Sequence, residues 1–219
     1  MKASERIFQN IEEQVRTGAL LPGDPVDEIG LMQHYGISRT PVREALLQLK
    51  AQGLLTSLPR GGMVVAKMTV QQLFAMWELL ADLESLCARY ACERMTDPER
   101  ASLAEMHEAA RPIVARDAQE EWPAANTAFH EILYAGSRNP YLRQEILRMR
   151  ARTQAYRRHS FGAVGRLQIS HDHHGLILKA ILAKDCSAAT AAGLAHMSPG
   201  DGAPGVTALI NNLPKELLG

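Results

Sequence analysis

The stretch GISRTPVREALLQLKAQG, residues 36–53, opens and closes on glycine and carries a helical pattern between them. Val42, Ala45, Leu46 and Leu49 stand at i, i+3, i+4 and i+7, which places them on one face of a helix and turns that face inward. Ser38 or Thr40 suits the N-cap, and Pro41 is tolerated in the first turn, where its missing N–H costs little. Arg39 and Arg43, one turn apart, share an outward face near the helix start.

The flanking sequence supplies the rest of a small domain. Ile7, Phe8, Ile11 and Val15 line one face of a helix that Ser4 can cap and Gly18 ends. LPGD, residues 21–24, is a turn, and a second helix runs from about Asp27 to Tyr35 and stops at Gly36. A helix, the turn Gly36-Ile37-Ser38, and a helix with basic residues at its start make a helix-turn-helix layout. LLTSL (54–58) and MVVA (63–66) then read as a β-hairpin wing whose basic tip is Pro59-Arg60-Gly61-Gly62. On spacing alone, two arginines fit either a DNA-reading helix or the solvated face of any small domain.

Composition bounds the rest. The chain has 219 residues, 46% of them hydrophobic, and balances 24 Lys+Arg against 24 Asp+Glu. That supports a packed core in one large or two small domains and excludes a uniformly basic nucleic-acid binder. The average hides polarity. Residues 39–67 hold Arg39, Arg43, Lys50, Arg60 and Lys67 against Glu44 alone, while the acids Glu5, Glu12, Glu13, Asp24, Asp27 and Glu28 lie before them. A neutral protein can thus present a local cationic surface to phosphate. No run approaches the roughly 18 apolar residues of a membrane span, and the first residues, MKASERIFQN, lack a signal peptide's apolar centre. Three cysteines, with Cys87 and Cys92 at a spacing on one helix unsuited to bridging, point to a reduced cytoplasmic protein.

Beyond the wing the punctuation changes. No glycine occurs from Met63 to Ala135, so consecutive helices are expected, with a boundary near Lys67–Val70. Val70, Leu73, Phe74, Trp77, Leu80, Leu83, Cys87 and Tyr90 trace the stripe of a long helix ending near Met95, and Thr96 or Asp97 caps the next. Further helices are expected over 98–117, 121–136, 139–160, 165–184 and 186–197, a mainly α chain ending in an antiparallel all-α bundle. The expected domains are a winged helix-turn-helix over 1–68 and a helical domain over 69–219.

Asn126 and His130 share one helical face, and His174 and His196 fall on two other expected helices. Three imidazoles converging inside a bundle suit a borderline divalent metal with open positions; lone surface or core histidines, as His171 and His173 beside His174 illustrate, are the competing reading. Residues 138–166 carry Arg138, Arg143, Arg148, Arg150, Arg152, Arg157, Arg158 and Arg166 against one acid, Glu145. Most fit a solvated face. Arg150 and Arg152, however, flank the inward stripe Leu142, Ile146, Met149, Thr153 and Tyr156, from which one of them can clamp a carboxylate in a cavity.

The segment PGDPVDEIGLMQHYGISRTPVREALLQLKAQGLLTSLPRGGMVV resembles the DNA-binding signature of the GntR family of bacterial transcription regulators, with SRTPVREAL its most specific part. The resemblance implies DNA contacts from Arg39, Thr40 and Arg43 on the recognition helix and from Arg60 and Gly61 on the wing. Ile29 stands where some relatives carry a basic residue. AANTAFHEILYAGSRNPYL, HHGLILKAILAKD and AGLAHM resemble the FCD effector domain of the family's FadR-type branch over roughly residues 70–197. This implies a divalent metal, zinc first with nickel or manganese as alternatives, on Asn126, His130, His174 and His196. Asn126 replaces the commoner aspartate and removes a negative ligand. Leu80, one turn before Glu84, replaces an arginine frequent in relatives, which implies that the effector is held differently or is a different compound. After His196, SPGDGAPG interrupts where a last helix often continues, and VTALINNLPKELLG resumes.

The combined expectation is a cytoplasmic homodimeric transcription regulator that binds an inverted-repeat duplex and is modulated by a small organic acid beside the metal. A regulator for which the ion itself is the effector is an alternative. A metal-dependent hydrolase ranks below both, since no HExxH occurs and no general base is obvious beside the expected ligands.

Overall fold

The computed structural model describes residues 2–157, 166–198 and 213–219. In chain order these form α1 (Ala3–Thr17), β1 (Pro25–Val26), α2 (Glu28–Tyr35), α3 (Arg39–Ala51), β2 (Leu55–Ser57), β3 (Met63–Val65), and then α4 (Val70–Arg94), α5 (Asp97–Ala115), α6 (Trp122–Gly136), α7 (Pro140–Arg157), α8 (Arg166–Leu182) and α9 (Cys186–Met197). Two compact units result. One holds Met1–Leu73 with Arg150–Tyr156 and Leu213–Gly219; the other holds Phe74–Met149 with Arg157–Asn212, so far as these are described.

The first unit is a winged helix-turn-helix. Val42, Ala45, Leu46 and Leu49 of α3 are completely buried, and they pack with Ile7, Ile11 and Val15 of α1 and with Leu54, Leu55 and Val65 of the wing. Asp27 caps α2 by accepting the Gly30 N–H at 2.9 Å, and Gly36 ends it at φ 62°, a left-handed conformation that favours glycine. Ser38, rather than Thr40, holds the N-cap position of α3. At α1 the expected Ser4 cap is corrected. The helix begins at Ala3, Ser4 is buried, and the Glu5 carboxylate accepts the Lys2 N–H at 2.9 Å. The wing pairs β2 with β3 antiparallel, Thr56 opposite Val64, and β1 adds a third strand on the far side of β3. Two residues are too few for a period-2 signal, so the sequence carries no sign of β1.

Two further segments complete this unit. The Met68 N–H donates to the Tyr156 hydroxyl at 2.9 Å, that hydroxyl donates to the Leu217 carbonyl at 3.3 Å, and Gly219 donates to the Met68 carbonyl at 3.1 Å. The expected resumption of the tail is described from Leu213 onward, with a 3-10 turn over Lys215–Leu217; SPGDGAPG beyond Ser198, and residues 158–160 of the helix expected over 139–160, lie outside the described residues.

The second unit is all-helical. Ala88, Ala91, Cys92 and Met95 from α4 and its C-terminal end, Leu103 of α5, Phe129 and Leu133 of α6, Ile177, Leu178 and Ile181 of α8, and Ala189 of α9 form one core. Thr96 caps α5 in a capping box with Glu99. α8 ends at Leu182, short of the expected 184, because Lys184 at φ 57° turns the chain into Asp185, which caps α9 by accepting the Ala188 N–H at 2.9 Å. Among the described residues no helix is long and apolar enough to cross a membrane.

Candidate functional site

Two sets of side chains invite a functional reading. Arg39, Thr40 and Arg43 are exposed on the first turns of α3, whose opposite face is locked into the core. In the wing, Leu58 donates to the Gly62 carbonyl at 3.1 Å and Gly61 donates to the Leu58 carbonyl at 3.1 Å, closing a tight turn. Gly61 and Gly62 have φ of 94° and 86°, where other L-residues are strained. That turn holds Arg60 and Gly61 out into solvent. The two groups of expected contacts are thus carried by rigid elements with exposed tips.

In the helical unit the three expected histidines meet. His130 on α6, His174 on α8 and His196 on α9 offer ring nitrogens that all lie within 4.8 Å of one another, and all three residues are buried. Nε2 of His196 is 3.3 Å from Nε2 of His130. Two nitrogens held tetrahedrally at about 2.0–2.1 Å from zinc stand about 3.3 Å apart, so the spacing fits a shared ion. His174 is stacked on Phe129 at 4.1 Å between ring centroids and on Trp122 at 5.8 Å. Its Nε2 is buried without a hydrogen-bond partner among the described residues, an acceptor lone pair for which a metal provides a bond. Burial, reinforced by the neighbouring His196 and His130, pushes its pKa well below the usual imidazole value. A neutral imidazole is the ligating form. Asn126 is buried one turn before His130 on the same helix.

Sequence reasoning missed the group behind His130. The Glu84 carboxylate on α4 places Oε2 3.4 Å from Nδ1 of His130 and accepts the Tyr134 hydroxyl on Oε1 at 2.6 Å. A carboxylate on the Nδ1 side favours the tautomer with the proton there and Nε2 as the lone-pair face. The only sequence signal was a glutamate on the inward side of an apolar helix, at i+4 from Leu80 and i−3 from Cys87. His107 of α5 was also missed. Its Nε2 and that of His171 each lie 3.1 Å from the other's main-chain carbonyl, with rings stacked at 4.0 Å. A carbonyl only accepts, so both Nε2 atoms carry protons; this pair ties α5 to α8. His173 is half-buried, its ring 5.9 Å from that of His196.

The arginines expected to hold an effector, Arg150 and Arg152, both fall in the first unit. Arg152 belongs to the first unit, where its guanidinium carbon lies 3.1 Å from the position a Cβ on Gly53 would take, and it lines a small cavity with Val15, Leu54, Val65 and Met68. Arg150 belongs to the same unit, and its carbonyl accepts the Thr153 hydroxyl at 3.3 Å. The helical period put Arg152 beside an inward stripe correctly. It could not reveal that this end of α7 packs beside Gly53 within the first unit.

Comparison with known proteins follows the same division. The FCD domain model matches residues 75–199, and the model for bacterial regulatory proteins of the gntR family matches residues 3–65. The HTH-type transcriptional repressor GlaR of Escherichia coli (strain K12) is 28% identical over 191 residues, covering 84% of this chain and 87% of that protein. The HTH-type transcriptional regulator McbR of the same organism is 26% identical over 182 residues, 82% of each chain. The solved structure of E. coli McbR/YncC covers 96% of this chain and 98% of its own with a TM-score of 0.79 at 24% identity, a likeness of fold. These relatives are transcriptional regulators, not enzymes.

Proposed function

The chain belongs to the FCD-domain regulators of the gntR family and is a DNA-binding transcriptional regulator; from that premise we propose that it is a metal-dependent sensor of a small organic acid. The carrying observation is the convergence of His130, His174 and His196 from three helices, with the Nε2 of His174 buried and without a hydrogen-bond partner among the described residues. These three imidazoles hold the metal, zinc by the nitrogen donor set, and Asn126 serves as a weak fourth ligand. Glu84 and Tyr134 orient His130, while Trp122 and Phe129 exclude water around His174. Bound there, a divalent ion supplies positive charge that neutral imidazoles do not cancel, which favours a carboxylate at the remaining positions.

The reader acts at the other end of the chain. Arg39, Thr40 and Arg43 enter the major groove, and Arg60 with the Gly61 backbone contacts the flanking duplex. One recognition helix per chain, paired in a two-fold dimer, reads an inverted repeat. The protein works in the cytoplasm, and acid binding changes its operator affinity through a coupling free energy between the two sites.

The test uses full-length protein and a duplex selected from random-sequence DNA. Operator affinity is followed by fluorescence anisotropy across a panel of small carboxylic acids, with chelator-stripped protein and with protein restored by zinc. An acid that shifts affinity only after zinc is restored is the expected result. An acid response equal in both forms overturns the metal-dependent reading.

A further inference from the structure

Away from the histidines, two cysteines distant in sequence stand in contact. Cys92 lies on α4 and Cys186 is the first residue of α9; they are 94 positions apart, and their sulfurs are 3.2 Å from each other. Both are free thiols. A disulfide needs a sulfur separation of about 2.05 Å, so closure asks for an approach of roughly 1.2 Å. We propose that Cys92 and Cys186 are a peroxide-responsive dithiol, a reversible modification site that joins α4 covalently to α9.

The environments of the two sulfurs assign their roles. Cys186 is partly exposed at the helix start, so a peroxide reaches it; Cys92 is 2% exposed and is reached only through Cys186. Burial, and then the neighbouring Cys186, push the Cys92 thiol up to about 11, while the Arg100 guanidinium acts in the opposite direction. Arg100 is itself buried, and it donates to the Cys92 carbonyl at 2.6 Å and to the Ile181 carbonyl. A fixed positive charge therefore stands beside the sulfur that loses its proton during closure. Cys87, one and a half turns earlier on α4, is buried with its thiol directed to the Leu133 carbonyl at 3.7 Å, and it has no place in the reaction.

The chemistry balances with a hydroperoxide as oxidant. The Cys186 sulfur attacks a peroxide oxygen, the O–O bond breaks, and the leaving hydroxide takes the thiol proton away as water, giving a sulfenic acid. The Cys92 sulfur then attacks the Cys186 sulfur, the S–O bond breaks, and the hydroxide departs as a second water with the Cys92 proton. Two thiols lose two electrons and hydrogen peroxide becomes two waters. The contact between the helices has little slack. A Cβ on Gly193 of α9 would stand 3.0 Å from the Ser85 Cα and 3.1 Å from the Ala88 Cβ of α4, so the new bond fastens an interface that is already close.

The test treats full-length reduced protein with micromolar hydrogen peroxide, quenches, blocks remaining thiols with an alkylating tag under denaturing conditions, and maps peptides by mass spectrometry. The expected product is an intramolecular Cys92–Cys186 linked peptide that dithiothreitol abolishes, with Cys87 tagged throughout. Cys92→Ala should stop at a Cys186 sulfenic acid trapped by dimedone, and Cys186→Ser should leave Cys92 tagged; circular dichroism verifies the folding of both. Tagged Cys92 in oxidised wild-type protein, whether Cys186 is then tagged, a sulfinic acid or bridged to a second chain, overturns the proposal.

Discussion

Glu84 of α4 and His130 of α6 are buried partners, with carboxylate Oε2 3.4 Å from ring Nδ1. A carboxylate facing Nδ1 favours the tautomer with its proton on that nitrogen, so that His130 offers the Nε2 lone pair toward His196. Glu84→Gln keeps the shape and removes the charge. It should lower zinc affinity by about 10–100-fold, read by competition with a chromophoric chelator, while circular dichroism is preserved. An unchanged affinity would show that Glu84 does not orient the ligand.

At the reader, Arg43→Ala should weaken specific DNA binding by about 1–3 kcal/mol if Arg43 reads a guanine edge. Arg60→Ala at the wing tip should instead weaken binding to all sequences alike and reduce the salt slope by about 1. Anisotropy titrations on selected and scrambled duplexes at several salt concentrations separate the two. Equal loss on both duplexes for Arg43→Ala makes it a phosphate contact.

Acid should destabilise the helical domain before its carboxylates titrate. His174 is held neutral by burial, and burial also lowers the pKa of His171 and His173. The unfolded chain binds these protons near pH 6.5 while the folded chain resists them, so stability is full above about pH 6.5 and falls below it. The slope approaches ~1.4 kcal/mol per pH unit for each group fully resisting protonation. Chemical denaturation of chelator-stripped protein between pH 7.5 and 5 measures it, and His174→Ala should show a shallower slope. A flat profile contradicts the neutral assignment.

Much of this molecule can be read from its sequence, for identifiable reasons. Val42, Ala45, Leu46 and Leu49 repeat at helical spacing, and all four are buried as that spacing requires. His130, His174 and His196 lie in motif contexts resembling the FCD domain, and three helices bring them together. What escaped depends on contacts between residues far apart in the chain. Glu84 looks like an ordinary helical glutamate until α6 delivers His130 and Tyr134 to it. Nothing in the spacing around Arg152 announces Gly53 as its neighbour. Cys92 has Cys87 as its neighbour on α4, whereas the sulfur it touches is 94 residues away.

The α4–α9 contact offers a steric test. Gly193→Ala places a methyl group 3.0 Å from the Ser85 Cα, where backbone must shift rather than a flexible side chain. Overpacking of this kind typically costs about 1–3 kcal/mol, and the shift would be felt at His196 three residues along α9. Thermal unfolding should show the loss in stripped protein, and zinc affinity should fall with it. A variant as stable as the parent would mean that α9 moves freely on α4.

The most direct measurement is metal content per chain, by elemental mass spectrometry, for wild-type protein and His174→Ala after zinc loading and desalting. One ion per wild-type chain, with none on a folded His174→Ala, is the result that three converging imidazoles predict. Equal zinc on both proteins, or none on either, would contradict a metal centre at His130, His174 and His196.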